Sequence, residues 1–259
     1  MSLLEVRGLS RSYRNPRAGA RGDGSVTHAL RPIDFDLAAG ETLAVIGESG
    51  SGKTTLMRLL LALDRPSSGT VRFDGREVVA GPARSLRWLR RETGIVLQDP
   101  YSSLDPRMRI GTSVAEPLRA LGIDGDRAAL VRGVLERVGL DPELAERYPH
   151  ELSGGQRQRV ALSRAIVHRP RLLIGDEPLS ALDVTVRAQV LELLRSLHHE
   201  LGLAMVIVSH DIGLVHHIAD RVLVMHDGEL VEQGASAEVL GAPQHPYTRR
   251  LLAAAPRLA

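Results

Sequence analysis

Apolar residues along the chain follow two rhythms. Short unbroken runs occur at 42–46 (Thr-Leu-Ala-Val-Ile), 94–97 (Gly-Ile-Val-Leu), 172–174 (Leu-Leu-Ile) and 204–208 (Ala-Met-Val-Ile-Val). Their length and branching suit parallel strands buried on both faces. Elsewhere apolar residues recur at helical spacing, over 55–63, 114–121, 127–138 and 142–148, which predicts helices with one apolar stripe. Strands alternating with helices predict an α/β fold. The stretch 99–168 is helical in character and interrupts the strand-bearing portions 1–98 and 169–240. We expect one domain over 1–240, with a helical subdomain at 99–168 and a short tail over 241–259.

Composition narrows the functional classes. The apolar run at 201–208 falls well short of the roughly 18–20 residues that span a bilayer, and the first residues show no basic region followed by an apolar segment. No membrane span and no secretory leader are therefore expected. The absence of cysteine removes disulfides, thiolate metal sites and cysteine nucleophiles, and fits a reducing compartment. The pI of 9.4 coexists with a formal charge of only +2, because one Lys, four Tyr and no Cys leave little to titrate between about pH 8 and 10. The basic balance thus carries no call for nucleic acid. The pairs His198-His199 and His216-His217 lack a third ligand at sensible spacing for zinc.

Of 33 basic residues, 32 are arginine and one, Lys53, is lysine. A chain that uses arginine almost everywhere and keeps one lysine points to a position that needs a compact ammonium. Lys53 lies directly after the first buried run, in Gly47-Glu48-Ser49-Gly50-Ser51-Gly52-Lys53-Thr54, followed by Thr55 and an apolar helical stretch. This matches G-x-x-x-x-G-K-[ST] between strand and helix. Glycines let backbone N–H groups turn inward around phosphate oxygens, the helix N-terminus adds partial positive charge, and Lys53 neutralises the terminal phosphates. Residues Gly47 to Thr55 form the candidate phosphate site, with the Thr54 hydroxyl a candidate Mg2+ ligand.

The run at 172–174 leads through Gly175 into Asp176 and Glu177. Ligands of open α/β sheets bind at the C-terminal edge, where Asp176 is suited to hold metal and Glu177 to orient and deprotonate an attacking water. Neighbouring strand residues face opposite ways, so the two acids take different roles. The run at 204–208 ends in Ser209-His210-Asp211, placing His210 at the same kind of edge. A Ser153-Gly154-Gly155-Gln156 turn after Leu152 opens another helix, 100 residues beyond Lys53, and provides a second anion-binding N-terminus.

Leu152-Ser153-Gly154-Gly155-Gln156, with Gly175-Asp176-Glu177-Pro178 and Ser209-His210-Asp211 in this order, resembles the ATP-binding cassette (ABC) family over most of the chain, from residue 3 to about 232. The resemblance implies a P-loop NTPase fold, a RecA-like core with an antiparallel β subdomain and the inserted helical subdomain. It implies an ATPase that uses ATP and Mg2+. Two cassettes would pair head to tail, so that the phosphate loop of one and Ser153, Gly154, Gly155 and Gln156 of the other close on one ATP. It further implies that Gln98 touches Mg2+ and the attacking water, Asp183 contacts the opposite subunit, and His210 grips the γ-phosphate. Tyr13, 40 residues before Lys53, resembles the aromatic that stacks on adenine.

Within that family, Gln98-Asp99-Pro100-Tyr101-Ser102-Ser103-Leu104-Asp105-Pro106-Arg107, Tyr148-Pro149-His150-Glu151 and His245-Pro246-Tyr247-Thr248 are similar to ATPases of the oligopeptide, dipeptide and nickel importers. The expected function is energising peptide uptake, with a nickel importer or the cassette of phosphonate breakdown as alternatives. The partners implied are two transmembrane permeases, a second ATPase and, indirectly, an extracytoplasmic solute-binding protein, with no nucleic acid. The implied location is peripheral, on the cytoplasmic face of the inner membrane. The Gly- and Arg-rich stretch 14–27 reads as an excursion between strands.

Overall fold

The computed structural model describes residues 2–14, 26–99, 103–179 and 182–254. Residues 15–25 of the excursion 14–27 and the motif residues Pro100, Tyr101, Ser102, Ser180 and Ala181 lie outside them. The chain divides into two compact units, Met1–Leu86 with Val208–Ala259, and Arg87–Ile207.

In the first unit, β1 (Ser2–Arg14) and β2 (Val26–Ala38) pair antiparallel. Their register sets Leu4, Val6 and Leu9 opposite Leu37, Phe35 and Ile33, all of them buried. The next strand, β3 (Thr42–Ile46), is buried at every position, as its unbroken apolar run requires. It leads through the glycine loop to α1 (Lys53–Leu60). Strands β4 (Ser68–Phe73) and β5 (Arg76–Glu77) complete an antiparallel sheet in the order β2-β1-β4-β5. Where β1 and β4 approach, a Cβ on Gly69 would lie 2.2 Å from the Gly8 carbonyl oxygen, and Gly69 sits at φ +78. Glycine is required there both by space and by backbone.

The second unit begins with α2 (Arg87–Glu92) and β6 (Thr93–Val96). It continues through α3 (Ile110–Ala120), α4 (Arg127–Arg137) and α5 (Gly154–Ile166) to β7 (Leu172–Asp176), α6 (Val184–Leu201) and β8 (Ala204–Val208). Strands β6 and β7 run parallel, from Thr93 opposite Leu172 to Val96 opposite Gly175, and β8 lies on the other side of β7. The apolar spacing at 142–148 forms no α-helix. A single 3-10 turn spans Pro142–Glu146, capped by the Asp141 carboxylate, which accepts from the Glu143 N–H at 2.9 Å. Tyr148 is extended at φ −102 and ψ 157, because the residue before a proline is pushed out of the helical region.

The chain returns to the first unit with α7 (Ile212–Ile218), β9 (Arg221–His226), β10 (Glu229–Ala235), α8 (Ser236–Gly241) and α9 (Pro246–Ala254). Strand β9 pairs parallel with β3, and β10 pairs antiparallel with β9. One core cluster joins Ala44 and Ile46 of β3 to Val215, Val222, Val224, Val239 and Tyr247, so α9 is fastened to the strand that carries the glycine loop. Parallel strands and helices are thus present as the apolar pattern predicted, and an antiparallel sheet as the resemblance implied. No helix among the described residues is long and apolar enough to cross a membrane.

Candidate functional site

Candidate residues fall on both units. In the first, β3 delivers a loop whose glycines are fixed by close approach. Gly47 has φ +150, and a Cβ there would meet the Met225 carbonyl oxygen at 2.2 Å; Gly52 has φ +103, and a Cβ there would meet the Ala29 carbonyl oxygen at 2.6 Å. Only glycine tolerates both demands. Gly52 is also the N-cap of α1, so no side chain caps the first N–H groups of that helix, and these remain available to an anion. Lys53 is buried and turned into the loop. Its Nζ donates to the carbonyls of Gly47 at 2.7 Å and Glu48 at 2.8 Å, with Ser51 Oγ at 3.4 Å. The ammonium thus stands inside a ring of loop oxygens, next to uncapped amides. Glu48, Ser49 and Thr54 are exposed and Thr55 is half-buried.

His210 is exposed and follows Ser209, whose N–H donates to the Val45 carbonyl at 3.1 Å. This bond sets His210 beside the end of β3, on the same unit as the loop. Asp211 is committed to α7, its carboxylate accepting from Leu214 N–H at 3.1 Å. Tyr13, at the far end of β1, is more than one-third exposed. The Arg11 guanidinium covers one ring face at 4.4 Å and the hydroxyl donates to Asp64 at 2.7 Å. Burial raises the Asp64 pKa, but the Tyr13 hydroxyl, the Arg65 N–H and the charges of Arg11 and Arg58 outweigh it and hold the carboxyl below its ordinary value.

In the second unit, β7 ends at Asp176, and Glu177 turns to φ +47. A non-glycine residue in the left-handed region carries some backbone strain, a conformation that Ala62, Asp74, Arg169 and Asp227 share. Gln98, just beyond β6, donates its side-chain Nε2 to Glu177 Oε2 at 2.9 Å. The parallel pairing of β6 and β7 is what brings Gln98 and Glu177, 79 residues apart, together.

Ser153 is the N-cap of α5. Its Oγ accepts from Gln156 N–H at 3.3 Å while the Gln156 side chain accepts from Ser153 N–H at 2.9 Å, a reciprocal capping box. Part of the Ser-Gly-Gly-Gln sequence therefore serves the helix itself. Gly154 faces open space, whereas a Cβ on Gly155 would meet Val186 Cγ1 at 2.6 Å, so Gly155 also lets α5 approach α6. Asp183 caps α6, accepting from Val186 N–H at 3.0 Å. One contact escaped the sequence reading. The Tyr247 hydroxyl accepts from the Glu48 N–H at 3.0 Å, and its only sequence signal was the His-Pro-Tyr-Thr motif.

Residues 30–180 match the ABC transporter family. The glutathione import ATP-binding protein GsiA of Salmonella typhimurium is 48% identical over 256 residues, which are 98% of this chain and 41% of that protein. The chain thus spans about two-fifths of the length of that relative. A Brucella ovis protein named for peptide import ATP binding is 44% identical over 98% of this chain and 78% of its own length. Among solved structures, cbiO1 of Clostridium perfringens, part of the ABC transporter complex cbiONQ, aligns with TM-score 0.79 and 31% identity over 93% of this chain and 91% of that one. The dimeric ATP-binding cassette MJ0796 bound to ADP and Pi aligns with TM-score 0.77 and 27% identity over 90% and 98%. A glycine loop closing on a buried lysine, an acid held by a glutamine and likenesses that run over nearly all of this chain agree: the chain belongs to the ABC transporter family, of which it carries the ATPase domain.

Proposed function

We propose that the chain hydrolyses ATP to energise the uptake of peptides or similar small solutes across the inner membrane. The observation that carries the hydrolytic part is Glu177, held at φ +47 with Gln98 on its carboxylate. The cargo class rests on the relatives named for glutathione and peptide import, together with the three subfamily motifs.

ATP is taken up by the loop Gly47–Thr54, whose amides and Lys53 match phosphate oxygens. The adenine stacks on the Tyr13 face opposite Arg11. Glu177 orients a water and accepts its proton as the water oxygen bonds the γ-phosphorus and the bond to ADP breaks. His210 donates to the γ-phosphate. Thr54, Asp176 and the side-chain oxygen of Gln98, whose nitrogen is already given to Glu177, are hard oxygen donors of the kind Mg2+ takes beside phosphate and water. When bound, Mg2+ supplies neutralisation of the phosphate charge.

Two cassettes work as a pair, as the dimeric relative supports. Ser153, Gly154, Gly155 and Gln156 face the γ-phosphate held by the partner copy, and Asp183 lies at the shared interface. Ser153→Asp tests this without destroying the helix start, since Asp is as good an N-cap as Ser. We expect cooperative hydrolysis to fall at least about a hundredfold through repulsion of phosphate by carboxylate, with nucleotide binding to the isolated chain and the melting temperature nearly unchanged. Full activity would remove Ser153 from the shared site.

The pair docks on two permeases at the cytoplasmic face, with a solute-binding protein outside. Purification of the tagged chain from gently solubilised membranes of its own host tests the importer reading. Permeases and a peptide-binding protein should accompany it. Recovery of soluble enzymes or nucleic acid alone would overturn the transport role while leaving the ATPase chemistry standing.

A further inference from the structure

The peptide unit between Gly47 and Glu48 is held at both ends. Its carbonyl accepts from Lys53 Nζ at 2.7 Å and its N–H donates to Tyr247 Oη at 3.0 Å. The carbonyl and N–H of a trans peptide point in opposite directions, so these two bonds pin the plane of the first peptide of the phosphate loop.

Tyr247 is itself anchored. It is buried, belongs to the core cluster around β3, and stacks on the His226 ring at 3.9 Å between centroids. The segment before it is tied down by Glu232, whose carboxylate accepts from the N–H groups of Gln244 at 2.7 Å and His245 at 3.0 Å. Arg249 closes the turn, donating to the carbonyls of Pro243 and Gln244. Burial raises the pKa of the Tyr247 hydroxyl, so it stays a neutral phenol and its oxygen can accept from Glu48.

We propose that Tyr247 is a positioning residue of the nucleotide site, holding the Gly47–Glu48 peptide in register when Lys53 turns its ammonium toward phosphate. The inference rests on the ATP reading above. The phosphates of ATP compete with the Gly47 and Glu48 carbonyls for the same three N–H donors. Once Lys53 is drawn to the nucleotide, the carbonyl end of the peptide is released, and the Tyr247 hydroxyl becomes its remaining tether. Without that tether the loop must be ordered at the moment of binding, which weakens affinity. Helix α9 is in this way part of the phosphate site.

The test compares Tyr247→Phe and Tyr247→Leu with the parent full chain. Mg-ATP affinity, the KM and kcat of hydrolysis, and the nucleotide-free melting temperature are measured for each. Tyr247→Phe keeps the ring and its stack and removes one hydrogen bond, worth about a three- to tenfold change in affinity. We expect Kd and KM for ATP to rise by that factor, more than kcat falls, with the melting temperature lowered by no more than about 4 °C. Tyr247→Leu loses the stack too and should also melt lower. If Tyr247→Phe binds ATP as the parent does while Tyr247→Leu loses stability, the residue is a packing group and the inference is overturned. A parent chain that does not bind ATP overturns the underlying reading, and this inference with it.

Discussion

Glu177→Gln is expected to leave ATP binding close to that of the parent chain and to lower turnover by about 10²–10⁴-fold, the usual contribution of a positioned general base. That loss corresponds to about 3–5 kcal/mol of transition-state free energy. The substitution is informative because it is nearly isosteric. The side-chain oxygen of a glutamine can still accept from Gln98 Nε2, so the contact now at 2.9 Å survives. The left-handed backbone at φ +47 survives as well. The negative charge and the basicity of the carboxylate are lost. Two companion variants separate the remaining contributions. Gln98→Ala keeps the base but removes the hydrogen bond that orients it, so a smaller loss is expected. Glu177→Gly relieves the backbone strain, worth on the order of 1–3 kcal/mol, and should raise the melting temperature while abolishing turnover. A Glu177→Gln chain that hydrolyses ATP at the parent rate would assign the proton transfer to another group. A protein that also lost nucleotide affinity would show that the carboxylate is needed to bind and not to react.

The parts of this fold that could be read from the sequence are those whose identity is local. Strands β3 and β8 match the apolar runs 42–46 and 204–208 residue for residue. A strand buried on both faces has no polar position to blur its ends, and a glycine or a polar residue stops it. The ends of helices were less legible. The apolar pattern after the phosphate loop runs on to Leu63, yet α1 ends at Leu60 and Ala62 turns to φ +53. Leu61 and Leu63 are apolar outside the helix, which periodicity alone cannot reveal. The motifs were legible as chemistry but not as division of labour. Gly155 reads as one of two equivalent glycines in the turn, whereas the structure gives it a space requirement against Val186 that Gly154 does not share. Least legible was Tyr247. Its partner Glu48 lies 199 positions away, and nothing local in His-Pro-Tyr-Thr says which backbone amide its hydroxyl will meet.

The lone lysine supplies the second large effect. Lys53→Arg preserves the charge, in a chain where every other basic residue is arginine, and is still expected to weaken ATP binding by about ten- to a hundredfold. The scale is that of one or more charge-assisted hydrogen bonds. The reason is shape. The Lys53 ammonium is a point donor small enough to stand among Gly47 O, Glu48 O and Ser51 Oγ at 2.7, 2.8 and 3.4 Å, and to turn from them to a phosphate held in the same loop. A planar guanidinium spreads its donors over a wide fork and cannot converge on the same small volume. Nor can the loop open to admit it. Gly47 backs onto the Met225 carbonyl and Gly52 onto the Ala29 carbonyl, each at a distance that would exclude even a methyl group. Lys53→Ala removes the charge as well and should bind ATP more weakly still. It also leaves the buried Gly47 carbonyl without its ammonium partner, so a modest fall in melting temperature is expected, of the size of one lost buried hydrogen bond. Equilibrium titration with Mg-ATP, read beside thermal melting, distinguishes the two effects. If Lys53→Arg bound ATP like the parent, the single lysine would reflect composition alone, and the loop would be recognising phosphate through its amides.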